Sequence, residues 1–218
     1  MIRVKVCCIS SLEEARMAIR LGASALGLVS EMPSGPGVIP ESLIAKIAAT
    51  VPPPIATFLL TSRTEPAEII AQQMRCRTNT IQLCDCLPPG SLAKVREALP
   101  GISLVQVIHV RDAASVEEAV DSSLHADALL LDSGNQFLPV KELGGTGRTH
   151  DWTLSAEIIK KSRVPVFLAG GLNAENVAEA IRAVRPFGVD LCSGVRTFGV
   201  LDELKLTRFM AAVSAVSL

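Results

Sequence analysis

Tyrosine is absent from the chain, tryptophan occurs once and histidine three times. Aromatics make up 3% of the residues, too few to build stacking platforms for nucleobases. Positive charge is not in excess either. Lys and Arg number 21 against 22 Asp and Glu, and they are scattered. A nucleic-acid binder concentrates basic residues on one face, so that class of partner is set aside. No apolar run approaches the roughly 18 residues of a membrane span. No leader pattern precedes the first strand-like segment, so a cytoplasmic protein is expected. What the chain has in quantity is apolar residues, 49% of 218, enough for a large core without covalent staples. Its six cysteines, Cys7, Cys8, Cys76, Cys84, Cys86 and Cys192, are therefore expected to be reduced thiols.

Apolar strand-like runs alternate with amphipathic segments along the whole chain. Strands are expected at 2–8, 25–29, 55–60, 80–84, 104–110, 126–132, 165–169 and 188–192. In the first, Val4, Val6 and Cys8 share one face, and Arg3, Lys5 and Cys7 share the other. Helices are expected after each strand: from Leu12 to about Gly22, with Ser10 or Ser11 as cap, then 41–50, 65–75, from Pro88 to Pro100, 113–122, 152–161, 174–184 with Asn173 as cap, and 202–213. Pro33-Ser34-Gly35-Pro36-Gly37 reads as a loop. Eight strand–helix repeats imply a parallel sheet closed into a single (β/α)8 TIM barrel over residues 1–218. The alternative, an open doubly wound sheet, lacks the glycine fingerprint after strand one.

In such barrels the chemistry sits at the C-terminal ends of the strands. Those ends are Cys7, Ser30, Leu60, Cys84, Val110, Asp132, Gly170 and Ser193. Two of them are candidate acid–base groups, Cys7 and Asp132. Lys5, on the same face as Cys7, would favour its thiolate. Three glycine turns follow strands six, seven and eight: Gly144-Gly145-Thr146-Gly147, Gly170-Gly171 and Ser193-Gly194-Val195. Glycine lets backbone N–H groups approach an anion closely, so a phosphorylated small molecule is the expected ligand.

Several stretches together resemble the phosphoribosylanthranilate isomerases of tryptophan biosynthesis. They are Lys5-Val6-Cys7, Ile81-Gln82-Leu83, Leu130-Leu131-Asp132, the Gly144–Gly147 loop with Asp151-Trp152, Leu168–Leu172 with Asn176-Val177, and Val189-Asp190 with Ser193-Gly194-Val195. The resemblance runs nearly end to end. It implies a cofactor-independent Amadori rearrangement of N-(5-phosphoribosyl)anthranilate to the 1-deoxyribulose 5-phosphate product. Asp132 would be the general acid that opens the ribose ring, and Cys7 the general base that removes the C2 proton. Gly145, Thr146, Gly147, Gly170, Gly171, Ser193 and Gly194 would hold the phosphate. Lys5 and Asp190 are further candidates to bind substrate; the other reading of Asp190 is structural, holding an inward polar network.

Three departures from the family pattern stand out. Cys7 is followed by Cys8 where the family usually has glycine. Strand four ends in Gln82-Leu83-Cys84-Asp85 where Gln-Leu-His-Gly is usual. Gly37 stands where an arginine usually meets the anthranilate carboxylate; Arg63 and Arg148 are the candidates to replace it. Two other functions stay open: an isomerase acting on another phosphorylated amino sugar, and a non-catalytic phosphate-binding homologue. The histidine-pathway isomerase is a weaker match, because that family uses two carboxylates. Cys84-Asp85-Cys86 with Cys7, Cys8 and His150 lacks zinc-ligand spacing, so no metal is expected. Cys84 and Cys192, near strand ends, leave a reversible disulfide with a neighbour open. His109 reads as a barrel-rim residue and His125 as a surface one. Loop 133–143 is long enough to close over a substrate. Monomer and homodimer are both compatible with the sequence.

Overall fold

Eight parallel strands close into a barrel, and helices cover its outside. The computed structural model describes residues 2–145 and 147–216. In chain order the elements are β1 (Arg3–Val6), α1 (Leu12–Arg20), β2 (Ala25–Val29), α2 (Glu41–Ala48), β3 (Ala56–Thr61), α3 (Pro66–Cys76), β4 (Thr80–Leu83) and α4 (Ser91–Ala98). They continue with β5 (Ser103–His109), α5 (Ala114–Ser122), β6 (Ala128–Asp132), α6 (Trp152–Lys161), β7 (Val166–Leu168), α7 (Val177–Val184) and β8 (Gly188–Leu191). A 3₁₀ turn, Ser193–Val195, and a small hairpin, β9 (Arg196–Thr197) with β10 (Val200–Leu201), precede α8 (Glu203–Ser214). Closure is made by β8 pairing with β1, with Lys5 opposite Asp190 and Val6 opposite Leu191. This is the expected TIM barrel. Among the described residues no helix is long and apolar enough to cross a membrane.

Strand alternation sorts the core into two layers. Val4, Val6, Leu129, Leu131, Val189 and Leu191 face outward into the layer between sheet and helices. Phe58, Leu60, Val105, Val107, Leu130 and Phe167 fill the barrel. Its floor is aromatic: Phe58 and Phe167 meet edge-to-face at 6.0 Å, and Phe167 meets Phe187 at 5.4 Å. Above the floor lies one ion pair, Lys5 Nζ 2.9 Å from Asp190 Oδ1, with Lys5 fully buried.

Local chemistry sets the boundaries. Ser11 caps α1: its Oγ accepts from Glu14 N–H at 3.1 Å, while the Glu14 carboxylate accepts from Ser10 N–H at 2.9 Å. β1 stops two residues short of the expected end. Cys8 adopts a left-handed backbone, φ 61°, which breaks the alternation. Its side chain joins Cys7 in the inner layer instead of sharing a face with Val4 and Val6. α7 begins at Val177 rather than 174, because Asn173 and Asn176 exchange side-chain-to-backbone hydrogen bonds in a preceding turn. β6 begins at Ala128, not at 126, since the Asp127 carboxylate takes the Leu104 N–H at 2.8 Å. The hairpin β9–β10 occupies a stretch for which the sequence offered no element.

Candidate active site

The C-terminal strand ends open onto one common pocket. Cys7 and Asp132 both line it. Cys7 sits one residue beyond β1, where its N–H donates to Leu191 O at 2.8 Å and extends the β1–β8 ladder. Gly27 on β2 clears the space. A Cβ there would lie 2.7 Å from Cys7 Sγ and 3.1 Å from Lys5 Nζ, so thiol and ammonium border one small volume. Asp132 is the last residue of β6. Its Oδ1 accepts from Ser133 N–H at 2.7 Å, which fixes the carboxylate toward the pocket.

The glycine turns form the opposite wall. Gly145, Gly147, Gly170, Gly171 and Ser193 line the pocket. The turns touch one another: a Cβ at Gly171 would lie 2.9 Å from Gly147 O, and one at Gly147 would lie 3.6 Å from Ser193 Oγ. Gly171 also has a left-handed φ of 61°. Thr146 lies outside the described residues. Gly194 does not line the pocket. It packs beneath the Leu172 carbonyl, where any side chain would collide, so it brings the β7 and β8 turns together without facing a ligand.

The four polar residues also expected to meet substrate divide. Asp190 lines the pocket floor. Lys5 does not reach the cavity surface. Burial alone would lower its proton affinity, but the charges of Asp190 and Cys7 outweigh this and hold it above the usual lysine range. Lys5 is thus a fixed positive charge beneath Cys7, committed to Asp190 rather than to Asp132. Arg63 is not a pocket residue; it faces Glu68 at 3.2 Å and Glu31 at 3.9 Å. Arg148 pairs with Glu142 and does not line the pocket either. Both guanidinium groups are engaged by acidic neighbours, and neither lines the pocket.

Cys8 and Gly37, two of the departures noted above, prove to be one structural unit. Gly37 has φ 82°, and a Cβ there would lie 2.5 Å from Cys8 Cβ. The Cys8 side chain occupies the space that a residue at 37 would need. The Met32–Gly37 loop then packs onto the loop after β6: Ser34 Oγ donates to Lys141 O at 2.6 Å, and Gly145 fits only because it has no side chain to strike Pro36. Loop 133–143 is tied down by an Asn135–Glu142 bridge and a Lys141–Asp85 ion pair, and its last residue, Leu143, lines the pocket.

His109 ends β5 at the barrel rim, paired with Asp132, and is buried there, with Nε2 3.1 Å from Cys84 O. His125 is exposed. Burial pushes the Cys84 thiol well above its usual range. Among the described residues no group of three or more His, Cys, Asp or Glu is arranged to hold a metal ion.

Arg196 is the functional neighbour that the sequence did not reveal. It lies at the start of the unexpected hairpin and reaches back to β1. Its Nη2 donates to Cys7 O at 3.1 Å and to Cys8 O at 2.5 Å. The same guanidinium meets Glu14 at 3.0 and 3.2 Å, with both side chains 7% exposed. Burial alone would raise the Glu14 carboxyl; hydrogen bonds from Arg196 and from the Leu201 and Ser10 N–H groups hold it below its ordinary 4.5 instead. Removing one member of a buried pair costs about 3–5 kcal/mol. Glu14→Gln is therefore expected to lower Tm by about 6–20 °C at pH 7. A depressed carboxylate stabilises the fold above its unfolded value and ceases to do so as pH falls through the folded value. Melting curves should show the wild-type advantage in full at neutral pH and closing below about pH 4.5. An equal gap at pH 3 and pH 7 would refute this account.

A family model described as N-(5'phosphoribosyl)anthranilate (PRA) isomerase matches residues 4–212. The chain belongs to this family. It is 36% identical to the N-(5'-phosphoribosyl)anthranilate isomerase of Methanocella arvoryzae over 208 residues, covering 95% of each chain. The phosphoribosyl anthranilate isomerase of Thermotoga maritima, a dimeric protein, superposes with a TM-score of 0.84 at 31% identity, covering 98% of this chain and 99% of that one. Another isomerase structure, solved with reduced 1-(o-carboxyphenylamino)-1-deoxyribulose 5-phosphate, gives a TM-score of 0.82 at 29% identity over 98% and 99% of the two chains. Within the PRA isomerase family, then, this member closes the loop after β2 with the Cys8–Gly37 contact.

Proposed function

We propose that this PRA isomerase uses Asp132 as general acid and Cys7 as general base in the Amadori rearrangement of N-(5'-phosphoribosyl)anthranilate. Support comes from one juxtaposition: acid and base edge a single pocket whose other wall is built of glycine turns. Phosphate held by backbone N–H groups of those turns leaves the ribose across the pocket floor. Asp132 protonates the ring oxygen, and the anilino nitrogen lone pair closes a Schiff base as the C1–O bond breaks. Cys7 then removes the C2 proton, giving the enolamine, which tautomerises to the ketose. One proton enters at oxygen and one leaves carbon, so the two groups suffice without a cofactor.

The anthranilate end is the unusual part. No Lys or Arg lines the pocket among the described residues, and the wall beside Cys8 is Met32, Ser34, Gly35 and Pro36. A charge-assisted hydrogen bond to the carboxylate would be worth about 1.5–3 kcal/mol, or roughly 10- to 150-fold. Without that cation, kcat/KM for the anthranilate substrate should exceed that for the matching phosphoribosyl-aniline by less than about tenfold. The decisive experiment follows loss of phosphoribosylanthranilate fluorescence with the purified, folded protein. Turnover supports the assignment. A flat trace would overturn it and direct attention to other phosphorylated N-glycosides.

A further inference from the structure

Four cysteines, Cys7, Cys8, Cys84 and Cys192, line the pocket, and the proposed isomerisation uses only the first. Two of the others form a pair. Cys8 lies two residues past β1 and Cys192 directly follows β8, the strands whose pairing closes the barrel. The left-handed turn at Cys8 directs its side chain across that seam, and Cys192 opens the 3₁₀ turn that carries Ser193. The two sulfurs lie 2.6 Å apart, although 184 residues separate them in sequence. A disulfide bond spans about 2.05 Å, so bonding needs only a small approach. Two constraints hold the thiols together. Arg196 clamps the Cys8 carbonyl from below, and Gly37 presents bare backbone to the outer side of Cys8.

We propose that Cys8 and Cys192 are a reversible dithiol–disulfide site built into the wall of the substrate pocket. Exposure and charge assign the roles. The hydrogen bond the two thiols share and the charge of Arg196 lower the Cys192 thiol, whereas its thiol neighbours Cys192 and Cys7, with burial, raise Cys8. Cys192 is also the more exposed of the two. Its thiolate attacks one sulfur of a small-molecule disulfide such as oxidised glutathione, expelling one glutathione thiolate and forming a mixed disulfide. Cys8 gives up its proton and attacks the Cys192 sulfur, forming the internal bond and releasing the second glutathione. Two protein thiols are oxidised, and one external disulfide is reduced to two thiols. A reducing dithiol reverses both steps. The bond fastens the residue next to Cys7 to the turn bearing Ser193, so it couples redox state to both walls of the pocket.

The test is independent of turnover, so its outcome does not depend on the isomerase assignment. The folded wild type is incubated in glutathione buffers of graded ratio, quenched with an alkylating agent, and analysed by intact mass and non-reducing peptide mapping. The expected product has lost two hydrogens, links the Cys8 and Cys192 peptides, and returns to six alkylatable thiols with dithiothreitol. Cys8→Ser is expected to stop at a glutathione adduct on Cys192. Cys192→Ser, verified as folded by circular dichroism, is expected to form no internal bond. Six free thiols at every ratio, or a bond that joins Cys7 or Cys84 instead, would overturn the proposal.

Discussion

Asp132→Asn is expected to lower kcat on phosphoribosylanthranilate by about 10²- to 10⁴-fold, the usual range for loss of a general acid. KM should change little. The substitution keeps the shape, and the oxygen that accepts from Ser133 N–H can be retained by the amide. The phosphate wall of Gly145, Gly147, Gly170, Gly171 and Ser193 is untouched. A proton must reach the ring oxygen before the C1–O bond breaks, and an amide has none of suitable acidity to give. Steady-state kinetics with a melting curve as the folding control decide the matter. A loss of less than tenfold would move the acid elsewhere in the pocket.

Cys7→Ser should be comparably damaging, by about 10²- to 10⁴-fold, but at a different step. A serine hydroxyl beside Lys5 is a far weaker base than a thiolate, so removal of the C2 proton becomes limiting. Substrate deuterated at C2 separates the two variants. The isotope effect on kcat should rise in Cys7→Ser and stay near the wild-type value in Asp132→Asn, where ring opening limits. The same isotope effect in both variants would show that acid and base are not divided between these residues.

Both of these groups were legible in the sequence because strand alternation and strand ends are local properties. Asp132 closes the run Ala128–Asp132, and Cys7 follows an alternating β1, so the barrel geometry delivers them to one mouth. The glycine turns were legible for the same reason, except Gly194, whose value is a close approach to Leu172 rather than contact with the pocket. What sequence could not reveal depends on distant partners. Arg196 looks like any basic residue until Glu14 is found opposite it, 182 positions away. Arg63 and Arg148 were plausible substitutes for a missing cation, but acidic neighbours engage both and neither lines the pocket. Cys8 was misplaced because a left-handed backbone at a non-glycine residue has no local signature. Its reason is the matching glycine at 37, in another loop altogether.

The pairing of β1 with β8 has a consequence for how the chain comes off the ribosome. Lys5 meets Asp190, Glu14 meets Arg196 and Cys8 meets Cys192, each across more than 180 residues. Until β8 is synthesised, β1 has one neighbour, and the Lys5 ammonium has no counter-charge inside the nascent half-barrel. Burying it there would leave an uncompensated ion in an apolar interior, which costs several kcal/mol. The first strand must therefore stay open and hydrated through most of translation, and settle only when its final neighbour emerges. A product terminated before Gly188 would carry an unpaired strand edge and a stranded cation, making it a substrate for proteolysis rather than a stable subdomain.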